Sequence, residues 1–200
     1  MKPKRWPPRL NLMADVAIRP FLPQYLTQLP QVITGYTTSE IYAIAKDEWD
    51  TVVTFSLKLV SLPTPKTITY NHLDEAELAR LGQIVAVGMS LGAFFEAQLV
   101  GVALASAEVW NSSLRVWELH VTEEWRGQGI GRRLMEGVVD TAVAHRLRVI
   151  VCETQSSNVP AIRAYRKLGF VLDGIDLSYY SNEDVQKEDV AIFMKRHLPG

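Results

Sequence analysis

The chain has 200 residues, of which 48% are hydrophobic and 22% charged, and its formal net charge is −1. This length allows one globular domain with an added terminal segment and excludes a large multidomain assembly. The balanced charge provides no basic field for a phosphate polymer or an anionic membrane, so neither nucleic acid nor membrane is predicted as a partner. Cys152 is the single cysteine, which excludes an intramolecular disulfide and favours a reducing compartment such as the cytoplasm.

The beginning of the chain is rich in proline. Six of the ten prolines fall within the first thirty residues, so we predict an irregular N-terminal arm or a set of short turns over residues 1–35 and one domain over residues 36–200. No apolar run of signal-peptide length follows the first basic residues. The hydrophobic stretch at 84–107 is interrupted by Glu96 and Gln98 and is too short for a membrane helix of ~20 residues, so it predicts strands.

The first half of the predicted domain contains two strands and a helix. Residues 39–45 and 51–60 are rich in β-branched and aromatic side chains, which is typical of strands, although a helix over 39–49 also fits. Pro63 and Pro65 are expected to interrupt the segment that follows. Residues 72–81 begin with acids and repeat apolar side chains every three or four positions, which predicts a short helix.

The second half predicts a mixed sheet. Residues 85–95 and 99–106 resemble a hairpin, and 114–121 adds a third strand. A helix is predicted over 131–145, a strand over 148–153, and a second helix from Pro160 to a cap at Gly169. Final strands at 170–177 and 190–195 complete an α/β (α+β) fold, in which a mostly antiparallel sheet is flanked by helices.

A glycine-rich loop joins the strand over 114–121 to the helix over 131–145. Gly127, Gly129 and Gly131 stand where that helix begins, and a helix start with unpaired N–H groups and a positive dipole end attracts phosphate oxygens. Arg132 and Arg133 oppose the helix dipole, a conflict that a bound anion would remove. The alternative is an ordinary tight turn with two solvated arginines.

The spacing in this loop separates phosphate-binding families. A dinucleotide fingerprint would need glycine where Arg132 stands, and a nucleotide P-loop would need Gly-Lys followed by Ser or Thr. Arg126-x-x-Gly129-x-Gly131 instead resembles the acetyl-CoA pyrophosphate loop of the GCN5-related N-acetyltransferase (GNAT) family, and residues 153–170 resemble that family's second motif. The resemblance implies the GNAT fold, with acetyl-CoA between splayed parallel strands.

The same resemblance implies a set of acetyl-CoA-binding residues. They comprise three strand residues that would pair with the pantetheine arm, a pyrophosphate loop and two helix side chains: Leu119, His120, Val121, Arg126, Gly127, Gln128, Gly129, Ile130, Gly131, Arg132, Asn158 and Tyr165. Asn158 and Tyr165 are seven residues apart, so both lie on one helix face. The alternatives are a plain N-cap for Asn158 and a half-buried core ring for Tyr165.

Acetyl transfer to an amine requires a proton acceptor. A lysine-like amine has a pKa near ~10.4, so its neutral form costs about 4.6 kcal/mol at pH 7. By resemblance to the ribosomal-protein alanine N-acetyltransferases, Glu153 is interpreted as the acceptor and Tyr165 as the donor to the leaving thiolate. Glu153 as a structural ion pair or acting through water stays open, as does Tyr165 stabilising the thiolate by a hydrogen bond alone.

Residues 153–161, together with Trp110 and Asn111, are most similar within that family to the streptothricin acetyltransferases. The resemblance implies antibiotic resistance through acetylation of the β-lysyl amine of streptothricin or a similar cationic small molecule. Trp117 stands where those enzymes often carry a glutamate. The alternatives are a protein or peptide N-acetyltransferase and a non-catalytic acetyl-CoA-binding module; a homodimer is left open.

The remaining reactive side chains predict no additional chemistry. The four histidines show no metal-ligand spacing, so no metal is predicted, and His120 is interpreted as a strand residue rather than a ligand or base. Cys152 lies on an apolar strand and is interpreted as a packing thiol, so direct transfer without an acetyl-enzyme is expected. Six late acids are interpreted as a solvated edge, with attraction of a polycationic acceptor as the alternative: Asp173, Asp176, Glu183, Asp184, Glu188 and Asp189.

Overall fold

A computed structural model describes residues 15–70 and 73–199. A seven-stranded sheet has the order β1-β4-β5-β6-β7-β9-β8, and β2 and β3 form a separate two-stranded sheet. The strands are β1 (Val16–Pro20), β2 (Gly35–Trp49), β3 (Val52–Thr69), β4 (Leu91–Phe95), β5 (Gln98–Glu108), β6 (Ser113–Val121), β7 (Val149–Gln155), β8 (Val171–Asp176) and β9 (Ala191–His197). The helices are α1 (Glu75–Ala86), α2 (Ile130–Ala144) and α3 (Val159–Lys167). β6 and β7 pair in parallel, whereas the other strand pairs of the described sheets are antiparallel, which confirms the predicted fold class.

The prediction for the N-terminal segment is wrong over residues 16–20, which form a strand, whereas the 3₁₀ turns at Pro23–Gln31 match the predicted set of short turns. β1 pairs with β4 at the sheet edge, and 3₁₀ turns at Pro23–Gln31 bury Leu29 in the core. The prolines misled the prediction because Pro20 ends the edge strand and Pro23 opens the turns, positions at which a missing N–H is tolerated. Residues 1–14 of the predicted arm lie outside the described residues, and the single domain over 36–200 stays a prediction.

The hairpin β2–β3 confirms the two early strands and shows that the helical alternative for residues 39–49 is wrong. Its register shifts between Thr38 and Glu40, which pair with Lys66 and Ser61. Residues 62–65, with both prolines, therefore stand where ladder hydrogen bonds are absent, as expected for proline in a strand. The Tyr42 N–H donates to the Ser156 carbonyl oxygen at 3.0 Å, which ties the hairpin to the main sheet.

Helix α1 extends further than its sequence pattern suggested. Asp74 caps it by accepting from the Glu77 N–H at 2.8 Å, and the buried face continues through Leu81, Ile84 and Val85. The predicted strand start at residue 85 is therefore wrong, because the turn at Gly88 (φ +83°) separates helix from strand. The predicted helix start at residue 72 lies outside the described residues.

Strand β5 forms the centre of the core and is buried on both faces. Val100, Ala103 and Ala105 pack in the cluster that includes α2, whereas Leu99, Val102 and Leu104 pack with α1 and the N-terminal 3₁₀ turns. A strand covered on both faces has a continuous hydrophobic sequence, which explains the part of the apolar run at 84–107 that lies in β5. The run also includes the end of α1 and all of β4, so the prediction of strands is wrong for residues 84–86. Within the described part of the chain, the helices are too short or too polar to span a bilayer.

The parallel strands β6 and β7 separate after four paired positions. Their pairing ends at Val116 and Cys152, although β6 continues to Val121 and β7 to Gln155. At this point the register between β5 and β6 also shifts, since Ala105 pairs with Val116 and Leu104 with Glu118. Trp117 is thus the extra residue of a β-bulge, and a bulge bends and twists its strand, which opens the sheet between β6 and β7.

Gly35 provides a test of the fold at the start of β2. Its φ is +118°, and an added Cβ would lie 2.0 Å from the Ile68 carbonyl oxygen. We expect Gly35→Ala to lower the free energy of unfolding by about 2 to 4 kcal/mol, because backbone strain and a backbone clash combine. Gly88→Ala is the control, since its Cβ would meet nothing within 4 Å and only the positive φ penalises it, by about 1 kcal/mol. Equal losses in urea denaturation would contradict the packing described at Gly35.

Candidate active site

A cavity of about 170 Å³ occupies the opening between β6 and β7. We call it the strand cavity and define it by its lining: Tyr70, Trp117, Glu118, Leu119, His120, Glu153, Thr154, Gln155, Asn158, Ala161 and Tyr165. Leu119, His120 and Val121 pair with β5 through one edge of their backbone, while the pairing of their other edge with β7 has already ended. That edge is available to an extended ligand that adds to β6 as a strand does.

The glycine-rich loop follows directly where β6 ends. Gly127 and Gly129 have φ of +74° and +78°, a conformation that glycine adopts without strain. Gly129 is the N-cap of α2, and no side chain of the described residues caps this helix. The first N–H groups of α2 are therefore available to an anion. Gln128 donates to the Glu124 carbonyl oxygen at 3.0 Å and braces the loop.

The arginines around the loop have different positions. Arg126 donates from Nε to the Val121 carbonyl oxygen at 2.9 Å and thereby ties the loop back to β6. Arg133 donates to the Val16 carbonyl oxygen at 2.8 Å and holds the edge strand, so the alternative of two solvated arginines is wrong for Arg133. Arg132 points instead to a second cavity of about 320 Å³. We call this the basic cavity, defined by Arg132, Met135, Glu136, Lys167, Leu168, Gly169 and Arg196.

Helix α3 contributes to both cavities. Asn158, Ala161 and Tyr165 line the strand cavity, and Lys167 at the other end of the helix lines the basic cavity. The structure therefore brings Asn158 and Tyr165 onto one face, as their spacing predicted. Asn158 also caps α3, because its Oδ1 accepts from the Ala161 N–H at 3.2 Å. The N-cap alternative is therefore confirmed, and binding of acetyl-CoA by Asn158 stays a prediction.

Tyr165 is buried against the core as well as lining the strand cavity. It is 8% exposed, its ring lies 5.6 Å from that of Phe170, and its side chain interacts with that of Cys152. Burial, with a smaller contribution from Cys152, raises the pKa of Tyr165 well above its usual value. Burial likewise raises the pKa of the Cys152 thiol, as expected of a packing side chain rather than a nucleophile.

Glu153 lines the strand cavity and is hydrogen-bonded to a residue that the sequence analysis missed. The Tyr180 hydroxyl donates to Glu153 Oε1. Burial raises the pKa of Glu153, while the Tyr180 hydrogen bond and the charge of Arg115 oppose this rise. A carboxyl with a raised pKa in a cleft is a candidate proton-transfer group.

A second carboxylate faces the same cavity. Glu118 Oε2 lies 2.7 Å from His120 Nε2, and their side chains are 14% and 17% exposed. The Tyr70 ring contacts His120 edge-on at 5.8 Å between centroids. His120 is thus a strand residue of β6, as predicted, and belongs to a partly buried polar pair. The i, i+2 spacing of Glu118 and His120 on a strand was the available signal, since such residues share a face.

Several other predictions concern polar side chains near the cavity. Asp184 is 1% exposed and accepts from Ser181 Oγ at 2.7 Å, and Asp173 pairs with Lys195, so the interpretation as a uniformly solvated acidic edge is wrong. Asp189 accepts from Ser157 Oγ at 2.6 Å.

Among the described residues, no group of His, Cys, Asp and Glu is arranged to hold a metal, and the absence of a metal stays a prediction.

Comparisons with known proteins agree with this geometry. A family model described as Acetyltransferase (GNAT) family matches residues 54–170. A streptothricin acetyltransferase from Streptomyces lavendulae is 34% identical over 125 residues, which are 62% of this chain and 62% of that protein. The chain therefore matches somewhat under two thirds of the length of this relative.

Two solved structures resemble the whole described fold. The crystal structure of nourseothricin acetyltransferase has a TM-score of 0.73 and 25% sequence identity, and the match covers 92% of this chain and 99% of that one. A Bacillus anthracis protein in complex with acetyl coenzyme A has a TM-score of 0.69 at 21% identity, covering 94% of this chain and 100% of that one. The second similarity concerns the fold alone.

Proposed function

The chain belongs to the GNAT family of acetyltransferases, and from this premise we propose that it transfers an acetyl group from acetyl-CoA directly to a primary amine. The favoured acceptor is the β-lysyl amine of streptothricin or a similar cationic small molecule. The observation that carries the proposal is the continuity of the open β6 edge, the glycine-rich loop and the strand cavity. Together they offer a binding path for an extended thioester that carries phosphate groups beyond its pantetheine arm.

The residues present fit acetyl-CoA along this path. The backbone of Leu119, His120 and Val121 would pair with the pantetheine arm, and the N–H groups from Gly127 to the first turn of α2 would hold the pyrophosphate. Beyond the loop, the basic cavity places three cationic side chains, Arg132, Lys167 and Arg196, beside α2. They would attract the remaining nucleotide phosphate, since guanidinium and ammonium groups are the usual phosphate ligands.

The reaction needs one proton removed and one leaving group stabilised. Acetyl-CoA supplies the thioester carbon to which the amine nitrogen bonds as the carbon–sulfur bond breaks. Glu153 would take the proton of the amine, for which a carboxyl with a raised pKa is suited. Because burial makes the Tyr165 phenol a weaker acid, Tyr165 would stabilise the thiolate by a hydrogen bond rather than by surrendering its proton.

The lining of the strand cavity supports a cationic acceptor. It contains the carboxyl groups of Glu118 and Glu153, and among the described residues that line it none is a lysine or an arginine. An amine with a second positive charge would therefore find a favourable potential in the cavity. The similarity to a streptothricin acetyltransferase over part of its length supports the same choice.

The proposed function is tested by following thiol release from acetyl-CoA with streptothricin, lysine, spermidine and an N-terminal peptide as acceptors. We expect the fastest release with streptothricin. Release with the peptide alone would replace the proposal with a protein acetyltransferase. Binding of acetyl-CoA without thiol release from any acceptor would replace it with a binding module.

The phosphate cradle is tested by two substitutions of nearly equal size at Gly129. Both Asn and Asp tolerate the positive φ of this position better than other side chains do, so they differ mainly in charge. We expect Gly129→Asp to weaken acetyl-CoA binding at least tenfold more than Gly129→Asn, because a carboxylate at the N-terminus of α2 repels the pyrophosphate. Isothermal titration calorimetry measures both affinities; equal affinities would contradict the cradle.

Tyr165→Phe separates a catalytic hydroxyl from a packing role. We expect turnover to fall by about 10²- to 10³-fold, as when one oriented donor to a developing anion is removed, with the affinity for acetyl-CoA nearly unchanged. Steady-state kinetics and thermal unfolding are compared with those of Tyr25→Phe, whose ring packs near Phe94 outside the strand cavity. A loss of thermal stability without a loss of turnover would assign the hydroxyl to its contact with Cys152 alone.

A further inference from the structure

We propose that Tyr180 is a positioning residue for the reaction, and that its hydroxyl holds the Glu153 carboxylate in the orientation and ionisation state that accept the proton of the amine. This inference rests on the proposed function, since it gives Glu153 the role of proton acceptor. The segment between β8 and β9 thereby takes a part in the active site that neither the glycine-rich loop nor α3 performs.

The position of Tyr180 is fixed by its own segment. The Tyr180 N–H donates to Asp184 Oδ2 at 2.8 Å, and the same buried carboxylate accepts from Ser181 Oγ. The Tyr180 ring packs edge-on against Tyr179 at 5.1 Å, and Tyr179 packs against Phe193 of β9 at 5.6 Å. These contacts fix the Tyr180 ring, so its hydroxyl is held at Glu153 even though Tyr180 is 41% exposed.

Tyr179, the neighbour of Tyr180, holds a charged side chain close to Glu153. The Tyr179 hydroxyl accepts from Arg115 Nη2 at 2.6 Å, which keeps that guanidinium near Glu153. Arg115 also lies over the Trp117 ring, 4.1 Å from its centroid. The segment thus donates one hydrogen bond to Glu153 through Tyr180 and holds the positive charge of Arg115 near it through Tyr179.

The charged and titratable groups around Glu153 act in opposite directions. On β6, Arg115 favours the carboxylate and Glu118 disfavours it, and Asp189 before β9 also disfavours it. Burial favours the protonated acid, and Tyr70 from the end of the hairpin adds a neutral phenol to the same cavity. Tyr180 is the group that donates a hydrogen bond to the carboxylate, so its loss shifts the balance toward the protonated acid, which cannot accept a proton.

The test is the pH dependence of kcat/KM in Tyr180→Phe. Loss of a hydrogen bond to a charged acceptor should move the acidic limb of the profile to higher pH by about one unit, with a smaller loss of rate on the alkaline side. Tyr42→Phe is the matched control, because it removes a hydroxyl that contacts Arg166 rather than Glu153, and its acidic limb should stay in place. An unshifted limb in Tyr180→Phe overturns the proposal.

A second measurement needs no turnover and so separates this inference from the proposed function. The Glu153 carboxyl is titrated by ¹³C NMR, with its signal assigned by its loss in Glu153→Gln. A higher midpoint in Tyr180→Phe than in the unsubstituted protein supports the positioning role, and an equal midpoint overturns it. If thiol release is absent with each acceptor while the midpoint still shifts, the proposed function fails and the Tyr180–Glu153 interaction stands without it.

Discussion

The extra residue at Trp117 determines where the sheet opens. Without it, β6 and β7 would continue to pair beyond Val116 and Cys152, and their backbone groups would satisfy each other. The bulge bends β6 away at that point, which leaves room for the strand cavity and frees one edge of β6. Trp117 is itself held in place, since its Nε1 donates to Ser106 Oγ at 2.8 Å and Arg115 lies on its ring. A bulky, well-packed side chain thus stabilises an interruption of the sheet.

The chemistry of the strand cavity follows from how much its groups are buried. Desolvation raises the pKa values of Glu153, Tyr70 and Tyr165 alike, so burial favours the neutral forms of these three groups. Tyr36 follows the same rule, with its pKa raised to about 12 by burial. Within this environment, the Tyr180 hydrogen bond and the charge of Arg115 favour ionisation of the Glu153 carboxyl, while the buried phenols keep their protons.

The glycine-rich loop and the start of α2 could be predicted from sequence because glycine positions and helix starts are local properties. Gly127, Gly129 and the cap at Asn158 depend on residues within a few positions of themselves. Tyr180 could not be predicted, because its contact with Glu153 depends on how β8 and β9 pair across the sheet. Pro20 and Pro23 led to a wrong prediction for a related reason. Proline lacks a backbone N–H donor, and only the tertiary structure shows whether a hydrogen bond from that position was needed.

Helix α3 joins the two cavities through a single rigid element of nine residues. Asn158 and Tyr165 face one cavity, and Lys167 faces the other. Each added residue turns an α-helix by about 100°, so even one insertion or deletion between these positions would rotate one end out of alignment with the other. Length variation among related sequences should accordingly be excluded from this helix and tolerated at the tip of the β2–β3 hairpin, where Trp49 is 74% exposed.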